Sequence, residues 1–228
     1  MHLIIISSPS GGGKSTICNK LMNNEQSSIF GSTEFSISVT TRQKRPHETN
    51  GKEYHFVSRQ EFETMISQND FLEWAEIFGN LYGTLKRNIS ETKHTLFDID
   101  YQGHKQIVEK NMPNVLSIFL LPPSIETLNK RLALRGDISP EIIERRIAGA
   151  NLEIASANDY DFIIVNQDIE NTFQMCNAVI KQEIFHKNTE MSKNVLAITN
   201  KIKNINNTNI DFYLKEAVNL QSYAHNLH

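Results

Sequence analysis

The chain has 228 residues, with 23 Lys and Arg against 26 Asp and Glu and a formal net charge of −3. That length can bury a sizeable core, as one large domain or a core with insertions, and the charge excludes a global basic field that would recruit nucleic acid or an anionic membrane. Cys18 and Cys176 form no metal or redox motif, and the N-terminal apolar run is too short for a signal peptide or a membrane span, so a cytoplasmic protein is expected.

In chain order, the apolar run 3–7 predicts one buried strand. It stops at Ser8-Pro9 and enters Ser10-Gly11-Gly12-Gly13-Lys14-Ser15-Thr16, after which a helix is predicted over 14–24. Glycines lack a Cβ, so backbone N–H groups can approach phosphate oxygens, and the following helix points its positive dipole end at the same anion. Lys14 can then reach the β- and γ-phosphates of a nucleotide, and the Ser15 hydroxyl can ligate Mg²⁺. Ser8 stands where the full phosphate-loop pattern has its first glycine.

Beyond the loop, a strand is predicted over 35–40, and Asn50-Gly51 predicts a hairpin turn leading into a strand at 53–57. Ser58-Arg59-Gln60-Glu61 is a capping box opening a short helix with Phe62, Met65 and Ile66 on one face, and 71–78 reads as another strand. Within this small β-rich module Arg42 and Arg45 offer two guanidinium forks for a phosphate, with Tyr54 and Tyr82 as neutral donors. Alternation places Glu73 beside Phe71, Ala75 and Ile77, and a buried carboxylate needs fixed donors. Guanine supplies them through N1–H and the N2 amino group; the matching edge of adenine presents an acceptor.

Further along, strands are predicted at 95–99, Val115–Leu121 and Phe162–Val165, with helices at 101–110, 124–135, 141–158 and 168–185. The alternation predicts an α/β fold with a parallel sheet flanked by helices and ligands at the strands' carboxyl ends. Ser124 is a candidate N-cap, and so is Ser139 before Pro140. Asp98 and Asp100 close an apolar strand where a metal-shell acid would stand, although one of them can equally cap the next helix. Arg131 and Arg135 project together one helical turn apart and, with Arg146, can close over a nucleotide; Asn166 is a candidate adenine contact or an ordinary turn residue.

The order and spacing of Ser-Pro-Ser-Gly-Gly-Gly-Lys-Ser, Thr40-Thr41-Arg42…Arg45, Asn50-Gly51-x-x-Tyr54-x-Phe56, Phe71-Leu72-Glu73, Gly79-Asn80-x-Tyr82-Gly83-Thr84, Asp98-Ile99-Asp100-x-Gln102-Gly103, Arg131…Arg135-Gly136, Arg146 and Val165-Asn166 resemble guanylate kinases over about residues 3–187. The resemblance implies a P-loop core (1–36, 90–127 and 157–187), an inserted GMP-binding module (37–89) and a helical lid (128–156), leaving 188–228 as an extension of unknown role. It implies Mg²⁺-dependent transfer of the ATP γ-phosphoryl group to GMP, with Lys14, Arg42, Arg131 and Arg146 catalytic. ATP would meet Ser10, Gly11, Gly12, Gly13, Lys14, Ser15, Thr16, Arg135 and Asn166. GMP phosphate would meet Arg42, Arg45, Tyr54 and Tyr82, guanine would meet Ser38, Glu73 and Thr84, and Asp98 and Asp100 would lie near the ribose, the base or Mg²⁺-bound water. His47, the short 84–98 segment and Gln167 depart from the usual pattern.

Two alternatives share these features: a non-catalytic module binding a phosphorylated peptide, and a kinase of a phosphorylated sugar. Lys14 weighs against the first, and the set Ser38, Glu73 and Thr84 weighs against the second. A GTP-hydrolysing switch lacks support, because no Asn-Lys-x-Asp motif is present. The Asn- and Lys-rich tail offers one amphipathic helix through Ile210, Leu214, Ala217 and Val218, which can pack on the core, mediate self-association or fray as a polar appendage, the last being favoured.

Overall fold

The computed structural model describes residues 1–46, 48–134 and 140–225, without the side chains of 140–143 and 223–225. His47, Arg135, Gly136 and Ser139 lie outside the described residues, and with them the expected Arg135 contact and the Ser139 cap.

Five parallel strands form the main sheet: β1 (Leu3–Ser7), β2 (Thr33–Phe35), β7 (His94–Asp98), β8 (Val115–Leu121) and β9 (Phe162–Val165), in the order β2-β7-β1-β8-β9. They are apolar on both faces because both faces are covered. Ile4 and Ile6 of β1 meet Ile17 and Leu21 of α1 (Lys14–Asn23) and Phe173 and Ile180 of α6 (Ile169–Phe185) in one apolar layer. Leu3 and Ile5 face the other layer, with Ile107 of α3 (Tyr101–Glu109), Leu128 and Leu132 of α4 (Ile125–Ala133) and Ile154 of α5 (Pro140–Ala155).

A second sheet of four short strands is inserted between β2 and β7, in the order β4-β3-β6-β5. It comprises β3 (Val39–Thr40), β4 (His55–Phe56), β5 (Phe71–Ile77) and β6 (Asn80–Leu85). Helix α2 (Arg59–Ser67) buries Phe62 against Phe71, and its Ser58–Glu61 capping box forms as expected.

Three expectations are corrected here. The strand expected at 35–40 is two strands in different sheets; Asn88 Nδ2 donates to Ser36 Oγ and to the Ile37 carbonyl at the crossing between them. Asn50-Gly51 makes a tight turn, with Gly51 N–H donating to the Tyr54 carbonyl, but no hairpin. The following β4 pairs with β3 in parallel, and a two-residue turn cannot join parallel strands. The tail is two packed helices, α7 (Glu190–Lys203) and α8 (Ile210–His225), and not a polar appendage. Thr189 and Ser192 cap α7 reciprocally, while Tyr213, Leu214 and Ala217 of α8 are buried in the core.

Candidate functional site

Pairing of β1 with β7 places Ile6 beside Asp98, so the loop leaving β1 meets a carboxylate at the end of the neighbouring strand. Lys14 Nζ lies 2.9 Å from Asp98 Oδ1, and Ser15 Oγ donates to Asp98 Oδ2. Burial works against the Lys14 charge, but Asp98 outweighs it and pushes the ammonium's pKa well up. Gly13 caps α1 with φ +98°, a conformation L side chains avoid. A Cβ on Gly12 would fall 2.7 Å from the Ser8 side chain. The loop therefore accepts serine in place of its first glycine by keeping the later one bare.

The second cluster stands in the inserted sheet. Arg42 Nη2 donates to Glu48 Oε1 at 2.7 Å, the Arg45 amide donates to Glu48 Oε2 at 2.8 Å, and the Arg45 guanidinium is 3.8 Å from the same carboxylate. The Arg42 guanidinium also lies over the Tyr54 ring, whose centroid is 5.9 Å from that of Tyr82. Glu48 is buried, yet its carboxyl is held below the usual range: burial works to raise it and the arginine hydrogen bonds win. Residue-type reasoning passed over Glu48. Its spacing from Arg45 in a basic loop was the signal.

Glu73 is buried on β5 opposite Thr84 of β6, and Ser38 precedes Val39, which pairs with Gly83. The register thus gathers the three base-reading candidates in one row across β3, β6 and β5. Burial pushes the Glu73 carboxyl up to about 7, and Asp100 adds to the shift. The Thr84 hydroxyl and amide oppose it, but Thr84 Oγ1 makes no well-formed hydrogen bond. Gly103 of α3 admits this carboxylate, since a Cβ there would fall 2.5 Å from Glu73 Oε2. Asp100 N-caps α3 through Gly103 N–H, the capping alternative open in the sequence.

The two clusters face one another. Tyr54 is near enough to Lys14 and Asp98 for their charges to act on it; burial, with Asp98 next, pushes its phenol up to about 12. Arg146 of α5 donates to Ser10 Oγ in the phosphate-binding loop, and its guanidinium lies over Phe78 at the tip between β5 and β6. Glu153, one helical turn before the buried Ala157, was not singled out in the sequence. Burial pushes its carboxyl up to about 8, opposed by Lys14.

Asn166 lies against the phosphate-binding loop. It is fully buried, with Nδ2 donating to the Gly12 carbonyl at 2.7 Å and Oδ1 accepting from the Thr172 hydroxyl. In this arrangement its side chain braces the loop. Arg131 Nη2 donates to the Asn166 carbonyl at 2.9 Å, so that cation also stands beside the loop.

The family model described as guanylate kinase matches residues 1–183. Among curated relatives, a guanylate kinase of Chelativorans sp. (strain BNC1) is 43% identical over 185 residues, covering 79% of this chain and 83% of the relative. One of Shewanella violacea is 42% identical over 206 residues, covering 86% of this chain and 97% of the relative. The crystal structure of guanylate kinase from Anaplasma phagocytophilum superposes with a TM-score of 0.66 at 36% identity, over 80% of this chain and 85% of that one.

Proposed function

The chain belongs to the guanylate kinase family and is an ATP:GMP phosphotransferase; from that premise we propose how its residues divide the work. The γ-phosphate of ATP rests on the amides of 10–16 and on Lys14. The phosphate of GMP rests on Arg42, Arg45, Tyr54 and Tyr82. Guanine is read by Glu73 with Ser38 and Thr84, and Asp100, close enough to act on Glu73, lies at the nucleoside end. One GMP phosphate oxygen attacks the γ-phosphorus, the bond to the β,γ-bridging oxygen breaks, and GDP and ADP result. The nucleophile is largely dianionic at neutral pH, with a second pKa of about 6, so no general base is required. Catalysis is positioning plus charge neutralisation by Lys14, Arg131 and Arg146, with the lid excluding water.

Ser15 Oγ and the Asp98 carboxylate are adjacent oxygen donors at the mouth of the loop, a set that suits a hard cation. Ser15 would hold Mg²⁺ directly and Asp98 through water, and the ion would neutralise charge on the β- and γ-phosphates. Among the described residues no helix is long and apolar enough to cross a membrane. Two buried free thiols, Cys18 and Cys176, support a reducing cytoplasm as the working compartment.

The facing of the two anion cradles carries the reading, with Tyr54 beside Arg42 and within electrostatic reach of Lys14. It is tested by ADP release with ATP against a panel of nucleoside monophosphates. GMP should be the preferred acceptor; equal turnover of AMP would overturn the base-reading assignment.

A further inference from the structure

Strand β9 is an edge of the main sheet, and in a parallel sheet an edge strand leaves alternate N–H and C=O pairs pointing outward. Asn166 N–H turns inward to the Leu121 carbonyl. The outward pairs are those of Ile163 and Val165, and neither is left to solvent. Thr199 Oγ1 of α7 accepts from Ile163 N–H at 3.0 Å and faces its carbonyl. Gln221 of α8 meets both groups of Val165: Oε1 accepts from the amide at 2.8 Å and Nε2 donates to the carbonyl at 2.7 Å. Gln221 is 1% exposed. Two side chains from the tail thus take the place of a sixth strand.

The next residue after Val165 is the loop brace. Asn166 holds the Gly12 carbonyl through its side chain and Arg131 through its own carbonyl, and a Cβ on Gly13 would lie 2.4 Å from its Nδ2. The contact is tight enough that a shift of Asn166 moves the phosphate-binding loop or breaks the hydrogen bond. We propose that Gln221 is a positioning residue for the ATP site, acting through Val165 and Asn166 on the loop and Arg131. The C-terminal helices, which lie beyond the residues matched by the family model, are thereby part of the catalytic scaffold. The proposal rests on reading 10–16 as the ATP phosphate site.

The chemistry of Gln221 supplies its own test. A carboxamide offers one acceptor and one donor in a plane, matching a backbone C=O and N–H. Protonated glutamic acid offers the same pair, whereas glutamate has no donor and places negative charge against the Val165 carbonyl. Gln221→Met keeps the length and removes both bonds. In the full-length chain, Gln221→Met should raise KM for ATP about tenfold, the scale of leaving the buried Val165 N–H unpaired while its carbonyl keeps only the Gln167 N–H, and leave KM for GMP within about twofold. Thr199→Val is the control, because it opens the same edge at Ile163, three residues before Asn166 and not adjoining it as Val165 does. It should lower the melting temperature comparably without changing the KM for ATP.

Gln221→Glu, measured as a ratio to the wild type at each pH, should approach wild-type KM for ATP at low pH and lose affinity as pH rises through the raised pKa of a buried carboxyl. That series also answers the question if Gln221→Met does not fold. Unchanged KM for ATP in a folded Gln221→Met, a flat Gln221→Glu ratio, or equal loss in Thr199→Val would each overturn the inference. A wild-type chain that does not turn over GMP would instead overturn the functional reading, so the two failures are distinguishable.

Discussion

Glu73 is a carboxyl whose burial disfavours its charge. Its folded pKa, about 7, stands above the ordinary 4.5, so between those values the folded chain binds more protons than the unfolded one. Its contribution to stability is therefore full below the ordinary value and falls as pH rises through that window. In the proposed base-reading role guanine's two donors favour the ionised form, so GMP binding would release this proton and tighten with pH. From pH 6 to pH 8 the wild-type Kd for GMP should tighten by about tenfold through Glu73 alone. Glu73→Gln should keep only the shallow slope of the GMP phosphate and lose most of the preference for GMP over AMP, as titration calorimetry across that range can show. A wild-type slope as shallow as the variant's would remove Glu73 from the base-reading role. Lys14 makes the complementary case. Its ammonium is paired with Asp98, and Lys14→Ala should lower kcat by roughly 10² to 10³ while GMP affinity changes little. Steady-state kinetics with both substrates varied would detect a fully active variant, which would show that the loop has another purpose.

At the scale of elements, three separate pieces meet: the loop after β1, the tip between β5 and β6, and helix α5, the lid of the proposed reading. Arg146 links all three, since it touches Ser10 and lies over Phe78. Phe78 itself is partly exposed with φ +50°, an uncommon conformation for an aromatic residue, and it faces Gly149 of the same helix. Phe78→Ala should leave the melting temperature nearly unchanged and lower kcat/KM for both substrates by up to about tenfold, as expected for one lost cation–π and packing contact. An unaltered kcat/KM would place the tip outside the closing movement. The elements carrying this machinery were legible where their signals were local. The glycine run, the Ser58 capping box and the alternation around Glu73 needed only their immediate neighbours. The break at 36–38 was not legible, because Thr33–Phe35 and Val39–Thr40 differ only in which distant strand each one finds. The bond from Asn166 to the Gly12 carbonyl was not legible for a related reason: an Asn after a strand looks the same whether it faces a ligand or a loop carbonyl. Helix α7 did carry a signal, with Thr189 and Ser192 at capping spacing and Val195, Ile198 and Ile202 on one face. The surrounding Asn and Lys masked it.

At the scale of the whole molecule, the tail changes what kind of object the core is. Val195 packs into one apolar layer and Ile198 and Ile202 into the other, so α7 runs along the open edge of the sheet and closes both faces at once. Helix α8 then lays Tyr213, Leu214 and Ala217 onto the layer shared with α5, and Asn207 Nδ2 donates to the Ala155 carbonyl at the end of that helix. Full burial of each large apolar side chain is worth about 1.5–3 kcal/mol, and a domain's whole net stability is about 5–15 kcal/mol. Removing five such residues together with the partners of Ile163 and Val165 takes away an amount comparable to everything that holds the fold. A chain ending at Lys187 should therefore keep helical far-ultraviolet dichroism but lose near-ultraviolet dichroism, bind a hydrophobic dye and aggregate by its bare edge strand. A truncated chain that stayed monomeric, cooperative in its melting and active would show that the core needs no sixth element, and that the two helices lie on it without supporting it.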